Sequence, residues 1–422
     1  MGIYALCVDI GTSSLKGGII DIDPLPKKKR LIDFVKVSYN DSRRESISAM
    51  VWEDAFFEVC AMLMGEVNIS VVCVSSNGPT LICCDSEGNV LKTLHWFEDV
   101  NRIANIKSFF LPHVLNFKMQ HKDLYERTKY FISPQEWLLH RLGASIKTCL
   151  PTPLYKPFYW DEQQLNELHL DADKFPPFVG LGSIIGSVSE KAAAKCKLLK
   201  SGTPLVCGGP DFIMALLGCG ITKSGLACDR AGSSEGINYC VESLSSLQQG
   251  FNTANNVRVL PSPIRVLPSP IDGLHNLSVV INESGSLFDT WRLANCDANE
   301  TYAQTLQRMM QGKKRRYKRE MLPDILQHIT DGVCDALSVL KANGANIDQL
   351  VVCGGQSKLL LWNQIKADIT GCTFLLPEIS DSELTGDAAC ASSALKLVCN
   401  ISEAIEYLLV IKQTVRPSGK TG

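Results

Sequence analysis

One local pattern constrains this chain more than any other: a β-rich run, a short turn of Gly and hydroxyl residues, then a second β-rich run. It occurs twice, as IYALCVDIGTSSLKGGIIDI over 3–22 and as GLACDRAGSSEGINYC over 225–240. The first copy continues through the basic turn PLPKKKR into LIDFVKVSY, which predicts an antiparallel meander. A helix around Glu53–Met64 and the apolar runs SVVCVSS and TLICCDS follow. QLVVCGG then reads as a buried strand entering a Gly turn, with LLLWNQIKADIT as the helix after it. At 422 residues the chain exceeds one ordinary core. Two halves that open alike predict a duplicated domain, 1–221 and 222–422, with the boundary near Ile221–Thr222.

Both turns suit phosphate. In DIGTSSLK, Asp9 ends a strand and small hydroxyl residues follow, so amides and hydroxyls can cradle phosphate oxygens while Asp9 holds Mg2+ through water. An ordinary hairpin turn whose Asp bonds its own backbone would read the same way. Gly232-Ser233-Ser234 could meet the same phosphates from the other domain, and two such turns facing across a cleft are what an actin-like ATPase needs. CGGPDFIMALLGCG puts Asp211 after a Gly-Gly turn, at the head of an apolar helix. A carboxylate there can accept the proton of an attacking hydroxyl, although Asp is also a favoured helix cap. CGGQSK lies between a strand and a helix, where glycines let a flat ring rest against the backbone.

Taken together, these segments resemble the FGGY carbohydrate kinases, nearest to the xylulokinase-like branch. DIGTSSLKGGIID is similar to that family's first phosphate motif, GGPDFIMALLGCG to the segment carrying its catalytic base, AGSSEG to its second phosphate turn, and CGGQSKLLLWNQIKADITG to its adenosine-binding segment. The resemblance implies an α/β, ribonuclease H-like (actin-like ATPase) fold, with two similar domains of mixed sheets around a central cleft. It implies an ATP- and Mg2+-dependent kinase acting on a ketose or polyol, with Asp211 as base and Asp9 as the metal-positioning acid. Gly11, Thr12, Ser13, Ser14 and Lys16, with Gly232, Ser233 and Ser234, would hold phosphates. Gly354, Gly355, Gln356 and Ser357 would meet the adenosine, and Asn77, Trp96, Asp211 and Phe212 the sugar. The chain also departs from the family. Gly78-Pro79 replaces the usual Met-His pair, Phe212 stands where Asn is common, Glu98 or Asp99 takes the place of the acid after Trp96, and a longer segment is missing between about 296 and 318. These departures point away from xylulose itself, and they raise a second reading, a weakened kinase kept as a nucleotide- or sugar-binding regulator. An actin-like ATPase that drives a partner's conformation is a third, but it has no need of Asp211.

Composition excludes several other classes. With 42 basic against 44 acidic residues there is no basic surface for nucleic acid, so no nucleic-acid partner is expected. The start lacks a signal peptide and a myristoylation pattern, and no run suits a membrane span; a cytoplasmic protein is expected, and a homodimer is admitted. The 17 cysteines lack metal-ligand spacing and read as small core residues. SGKTG and GLGSIIG fail the P-loop and dinucleotide spacings. RVLPSPI, repeated at 258–264 and 265–271, reads as an extended loop, GKKRRYKR at 312–319 as a solvated face, and the polar tail after Ile411 as disordered.

Overall fold

The computed structural model describes residues 2–27, 29–39, 48–64, 67–101, 103–244, 264–297, 299–312 and 316–419. The chain divides into two compact units. The first comprises Met1–Gly218 with Glu383–Leu408, and the second Cys219–Ser382 with Leu409–Gly422. The change near residue 218 lies close to the expected boundary. The segment 383–408, expected in the C-terminal domain, is instead built into the first unit.

The first unit is organised on a six-stranded sheet of β1 (Tyr4–Ile10), β2 (Ser14–Asp21), β3 (Leu31–Ser38), β4 (Ile69–Ser76), β5 (Ile184–Ser187) and β6 (Pro204–Pro210), in the spatial order β5-β6-β4-β1-β2-β3. β1–β2–β3 form the antiparallel meander, while β1, β4 and β6 run parallel. β1 is buried from Ala5 to Ile10, as a central strand covered on both faces must be. Trp52 and Phe56 of α1 (Ala49–Met62) and Trp137 of α2 (Pro134–Leu142) share its core. α2 carries a full capping box: Ser133 N donates to Glu136 Oε2 at 2.8 Å, Pro134 opens the helix, and Gly143 closes it at φ 127°. A separate aromatic core of Phe110, Phe117, Phe131, Tyr159, Trp160 and Phe175 lies in the same unit, and α3 (Asp211–Gly218) reaches it through Ile213.

The second unit repeats the pattern with seven strands: β7 (Ala227–Ala231), β8 (Glu235–Val241), β9 (Ile264–Pro268), β10 (His275–Ile281), β11 (Gln349–Cys353), β12 (Thr373–Pro377) and β13 (Ile411–Val415), ordered β9-β10-β8-β7-β11-β12-β13. β7–β8–β10 is again an antiparallel meander, and β7, β11 and β12 again run parallel. In this unit α4 is Gly285–Asn295, α5 is Asp324–Ala342 and α6 is Leu360–Thr370. α5 packs Val333, Leu337 and Leu340 into a core with Ile237, Leu277, Val352 and Phe374.

Two expectations are corrected here. The repeat is not all loop: Ile264, the last residue of the first copy, and Arg265–Pro268 of the second form the edge strand β9, paired with β10 from Ile264↔Val279 to Pro268↔His275. β-branched Ile264 and Val266 suit a pleated ladder, and an edge strand tolerates Pro. Residues 258–263 of the first copy, like 313–315 of the basic run, lie outside the described residues. The tail is not wholly irregular either, because Ile411–Val415 pairs antiparallel with β12. All the cysteines are free thiols, and all but Cys296, Cys334 and Cys399 are buried. Among the described residues no helix is long and apolar enough to cross a membrane.

Candidate active site

The first unit gathers its candidate residues by strand register. Ile10 of β1 pairs with Ser76 of β4, and Ser76 pairs with Pro210 of β6, so three adjacent parallel strands end side by side. Neighbouring strands lie about 4.8 Å apart, so the outer two ends are separated by about 10 Å. The residues that follow are Gly11, Asn77 and Asp211. The carboxyl ends of parallel strands are where α/β sheets bind ligands.

Each residue along this edge has defined partners. Gly11 N donates to Ser14 O at 3.0 Å, and a Cβ on Gly11 would sit 2.9 Å from that same oxygen. Tyr39 fastens the turn from outside: its N–H reaches Ser13 O at 3.0 Å and its hydroxyl reaches Gly11 O at 3.2 Å. Asn77 donates both its backbone and side-chain N–H to Ile10 O, and its Oδ1 accepts from Thr80 at 2.6 Å. Thr80 Oγ1 accepts Trp96 N–H, and the Trp96 indole N–H donates to Thr12 Oγ1 at 3.1 Å. Asn77 and Trp96 are thus drawn together with the first turn. Asn77 braces the strand end, whereas Trp96 leaves nearly half of its surface open. Gly78 approaches Pro210, immediately before Asp211. Asp211 begins α3 and accepts Phe212 N–H at 2.6 Å, and Phe212 rests against the aromatic core.

Asp9 is buried, with Oδ2 3.2 Å from Lys16 Nζ and Oδ1 without a hydrogen-bond partner among the described residues. Burial pushes its pKa up to about 7; Lys16 opposes this, while the charges of Glu383 and Asp211 add to it. An acceptor-only oxygen in such a place fits a hydrated cation, which would favour the ionised carboxylate. Among the described residues no group of three or more His, Cys, Asp or Glu side chains is gathered to hold a metal directly.

Sequence reasoning missed Asp387. It lies on α7 (Ser382–Ala394), accepts Ser75 Oγ at 2.9 Å, and is held well above the usual carboxylate range, chiefly by burial. A Cβ on Gly208 would come within 2.9 Å of it. The small-residue run GDAACASSA was the available signal, since such a helix can lie very close to a sheet.

In the second unit Ser233 and Ser234 are exposed at the β7–β8 turn. Asp229 and Arg230 of β7 pair in parallel with Val352 and Cys353 of β11, which brings Gly354 beside that turn. Gly354 has φ +83°, and a Cβ there would lie 2.7 Å from Ala231 O, so both conformation and space demand glycine. Gly355 is exposed with open space above it. Gln356 and Ser357 are buried: Gln356 Nε2 donates to Gly232 O at 3.0 Å, and Ser357 Oγ donates to Gly354 O at 2.7 Å. The open surface of this segment is therefore its glycines, and its polar side chains secure the turn.

The profile of the C-terminal domain of the FGGY family of carbohydrate kinases matches residues 304–395. A xylulose kinase of Staphylococcus xylosus is 22% identical, the alignment covering 98% of this chain and 95% of the relative. An autoinducer-2 kinase of Salmonella choleraesuis is also 22% identical, over 97% and 89%. Among solved structures, a gluconate kinase of Lactobacillus acidophilus superposes with a TM-score of 0.76 at 16% identity, covering 99% of this chain and 94% of the other. The fold is that of the actin-like ATPases, as the paired hairpins predicted.

Proposed function

We propose that this chain, similar over 304–395 to the C-terminal domain of the FGGY carbohydrate kinases and along nearly its whole length to a xylulose kinase, transfers the terminal phosphate of ATP to a hydroxyl of a small ketose or polyol. The observation carrying this reading is the shared register of Ile10, Ser76 and Pro210, which sets the first phosphate turn, Asn77 and Asp211 along one edge. Asp211 takes the proton of the acceptor hydroxyl as its oxygen attacks the γ-phosphorus; the bond to the β–γ bridging oxygen breaks and ADP leaves. Thr12, Ser13, Ser14 and Lys16 bind phosphate oxygens, and so do Gly232, Ser233 and Ser234. Gly354 and Gly355 offer backbone to the adenosine, with Gln356 and Ser357 holding that backbone in place. Trp96 and Phe212 bound the acceptor, and Asn77 keeps the strand end beside them rigid. Asp9 would hold a hydrated Mg2+, which when bound offsets the charge of the phosphates. Alignments to kinases along almost the whole chain favour catalysis over a binding-only regulator.

The test is ADP release measured over a panel of pentoses, hexoses, ketoses and polyols, beside Asp211→Asn. General-base catalysis contributes roughly 10²–10⁴-fold, so the variant loses about that much kcat while still binding nucleotide. Acceptor-stimulated turnover that survives the substitution removes Asp211 from the mechanism, and no turnover with any acceptor removes the kinase reading.

A further inference from the structure

Beneath the second phosphate turn lies a buried polar circuit in which, of its side chains, only Gln356 has a task among the roles above. Lys366, in the middle of α6, has a fully buried side chain and pairs with the equally buried Glu235, the first residue of β8 after the turn. Its ammonium lies 3.5 Å from Asp229 Oδ2 on β7 and donates to Gln356 Oε1 at 3.0 Å. The Trp362 indole N–H donates to the same Gln356 oxygen at 2.7 Å. Two donors converging on one end of the carboxamide define that end as the oxygen. The nitrogen must then face the other way, and there it donates to Gly232 O at 3.0 Å and to Ser284 Oγ at 2.8 Å. Ser284 Oγ in turn donates to Glu235, closing the circuit.

The turn above is tied to this circuit closely. Ser286 N–H donates to Ser233 O at 2.8 Å, and a Cβ on Gly285 would lie 2.1 Å from Gly232 O. The carbonyls of Gly232 and Ser233 are thus both engaged by the protein body, while the Ser233 and Ser234 side chains stay exposed. Removing a lysine and two acids from water is costly, and well-packed apolar residues often serve stability as well or better. The charges balance because Asp229, with no hydrogen-bond partner at either oxygen among the described residues, is held well above the usual carboxylate range by burial and by Glu235. Burial pushes Glu235 up as well, but Lys366 outweighs it and keeps Glu235 ionised.

We propose that Lys366 is the positioning residue of the second phosphate turn: by neutralising Glu235 and orienting Gln356 it keeps the carboxamide nitrogen on Gly232 O, and so holds residues 232–234 in the shape that receives nucleotide phosphates. This rests on the kinase reading. Glu235 Oε2 is already 3.4 Å from Gln356 Nε2. Without the lysine, an ionised Glu235 draws that nitrogen away from Gly232. The titratable groups that face Glu235 are Lys366 on α6 and Asp229 on β7; Ser284 and Gln356 are its other polar neighbours.

The experiment measures binding of N-methylanthraniloyl-ADP by fluorescence from pH 6 to 9, with the acceptor KM determined in parallel, for the wild type, Lys366→Met and Lys366→Met/Glu235→Gln. Loss of a charge-assisted hydrogen bond corresponds to about tenfold or more in affinity. Lys366→Met is therefore expected to bind nucleotide about that much more weakly with an unchanged acceptor KM. Its deficit grows with pH, because the ammonium that favours the ionised form is gone, the Glu235 pKa rises, and each proton lost as pH increases leaves an unpaired anion. The double variant has no such anion; it binds more tightly than the single variant, more weakly than the wild type, and with a flat pH profile. Should Lys366→Met not fold, the charge-neutral double variant is compared with the wild type alone, and equal affinity overturns the proposal. A Lys366→Met protein that binds within about twofold of the wild type at every pH overturns it too, even if it melts earlier. Failure of the wild type itself to bind nucleotide refutes the kinase reading instead.

Discussion

Asp9 is a carboxylate whose surroundings favour its neutral form. Its place at a strand end was legible in the sequence, as was that of Asp211 at the head of an apolar helix. What the sequence hid was electrostatic: burial, with help from Glu383 and Asp211, pushes the Asp9 pKa up to about 7. The folded value exceeds the unfolded one, so the stabilisation that proton provides is complete below about pH 4 and is lost as pH rises through about 7. A bound cation favours the ionised form and offsets that loss. The shift in melting temperature on adding Mg2+ should therefore be larger at pH 8 than at pH 6, and it should disappear in Asp9→Asn. Scanning fluorimetry reads this directly; equal Mg2+ shifts at both pH values would show that the cation does not meet Asp9. Lys366 was illegible for a related reason. A lysine within WNQIKADIT reads as a solvated helix position, and only the remote partners Glu235 and Asp229 make it an interior one.

At the scale of elements, local grammar was legible wherever it is written in consecutive residues. The two hairpins, the Ser133–Glu136 capping box and the Gly turn after β11 each depend on neighbours a few positions apart. The repeat was misread because its prolines outweighed its alternation. A strand on the sheet edge needs hydrogen bonds on one side only, and β10 provides them. Deleting seven residues tests this. Removing 258–264 or 265–271 yields the same shortened sequence, with Val257 in the place of Ile264 before RVLPSPI. That sequence can still pair with β10, so the net change at the described strand is Ile to Val. Such a change costs about 0.5–1.5 kcal/mol. Thermal unfolding should move by only a few degrees, with the cooperative transition retained. A collapse of the transition would mean that the second copy alone does not define the edge.

At the scale of the whole chain, sequence order and unit order differ, and this was the feature furthest from view. α7 and α8 (Ile401–Leu408) lie in sequence between β12 and β13 of the second unit, yet residues 383–408 belong to the first. Hydrophobic pattern carries little information there, because SELTGDAACASSA is rich in small residues and its partners Gly18, Ser75 and Met214 lie more than a hundred residues away. The contacts themselves are tight. Leu384, Asp387, Ala388 and Ala389 are fully buried, and Leu384 comes within reach of Gly18 on β2. A Cβ on Gly386 would lie 2.3 Å from Met214 O, a backbone atom of α3, so the helix carrying Asp211 would have to move. Overpacking of this kind typically costs 1–3 kcal/mol. Its functional effect should be greater than that, because about 1 Å of misplacement at a reacting group can lower the rate on the order of a hundredfold. Gly386→Ala is thus expected to lower kcat by at least about tenfold and to reduce melting temperature, while nucleotide affinity changes little. If kcat and melting temperature both stay at wild-type values, α7 does not set the position of α3, and the assignment of residues 383–408 to the first unit loses its functional meaning.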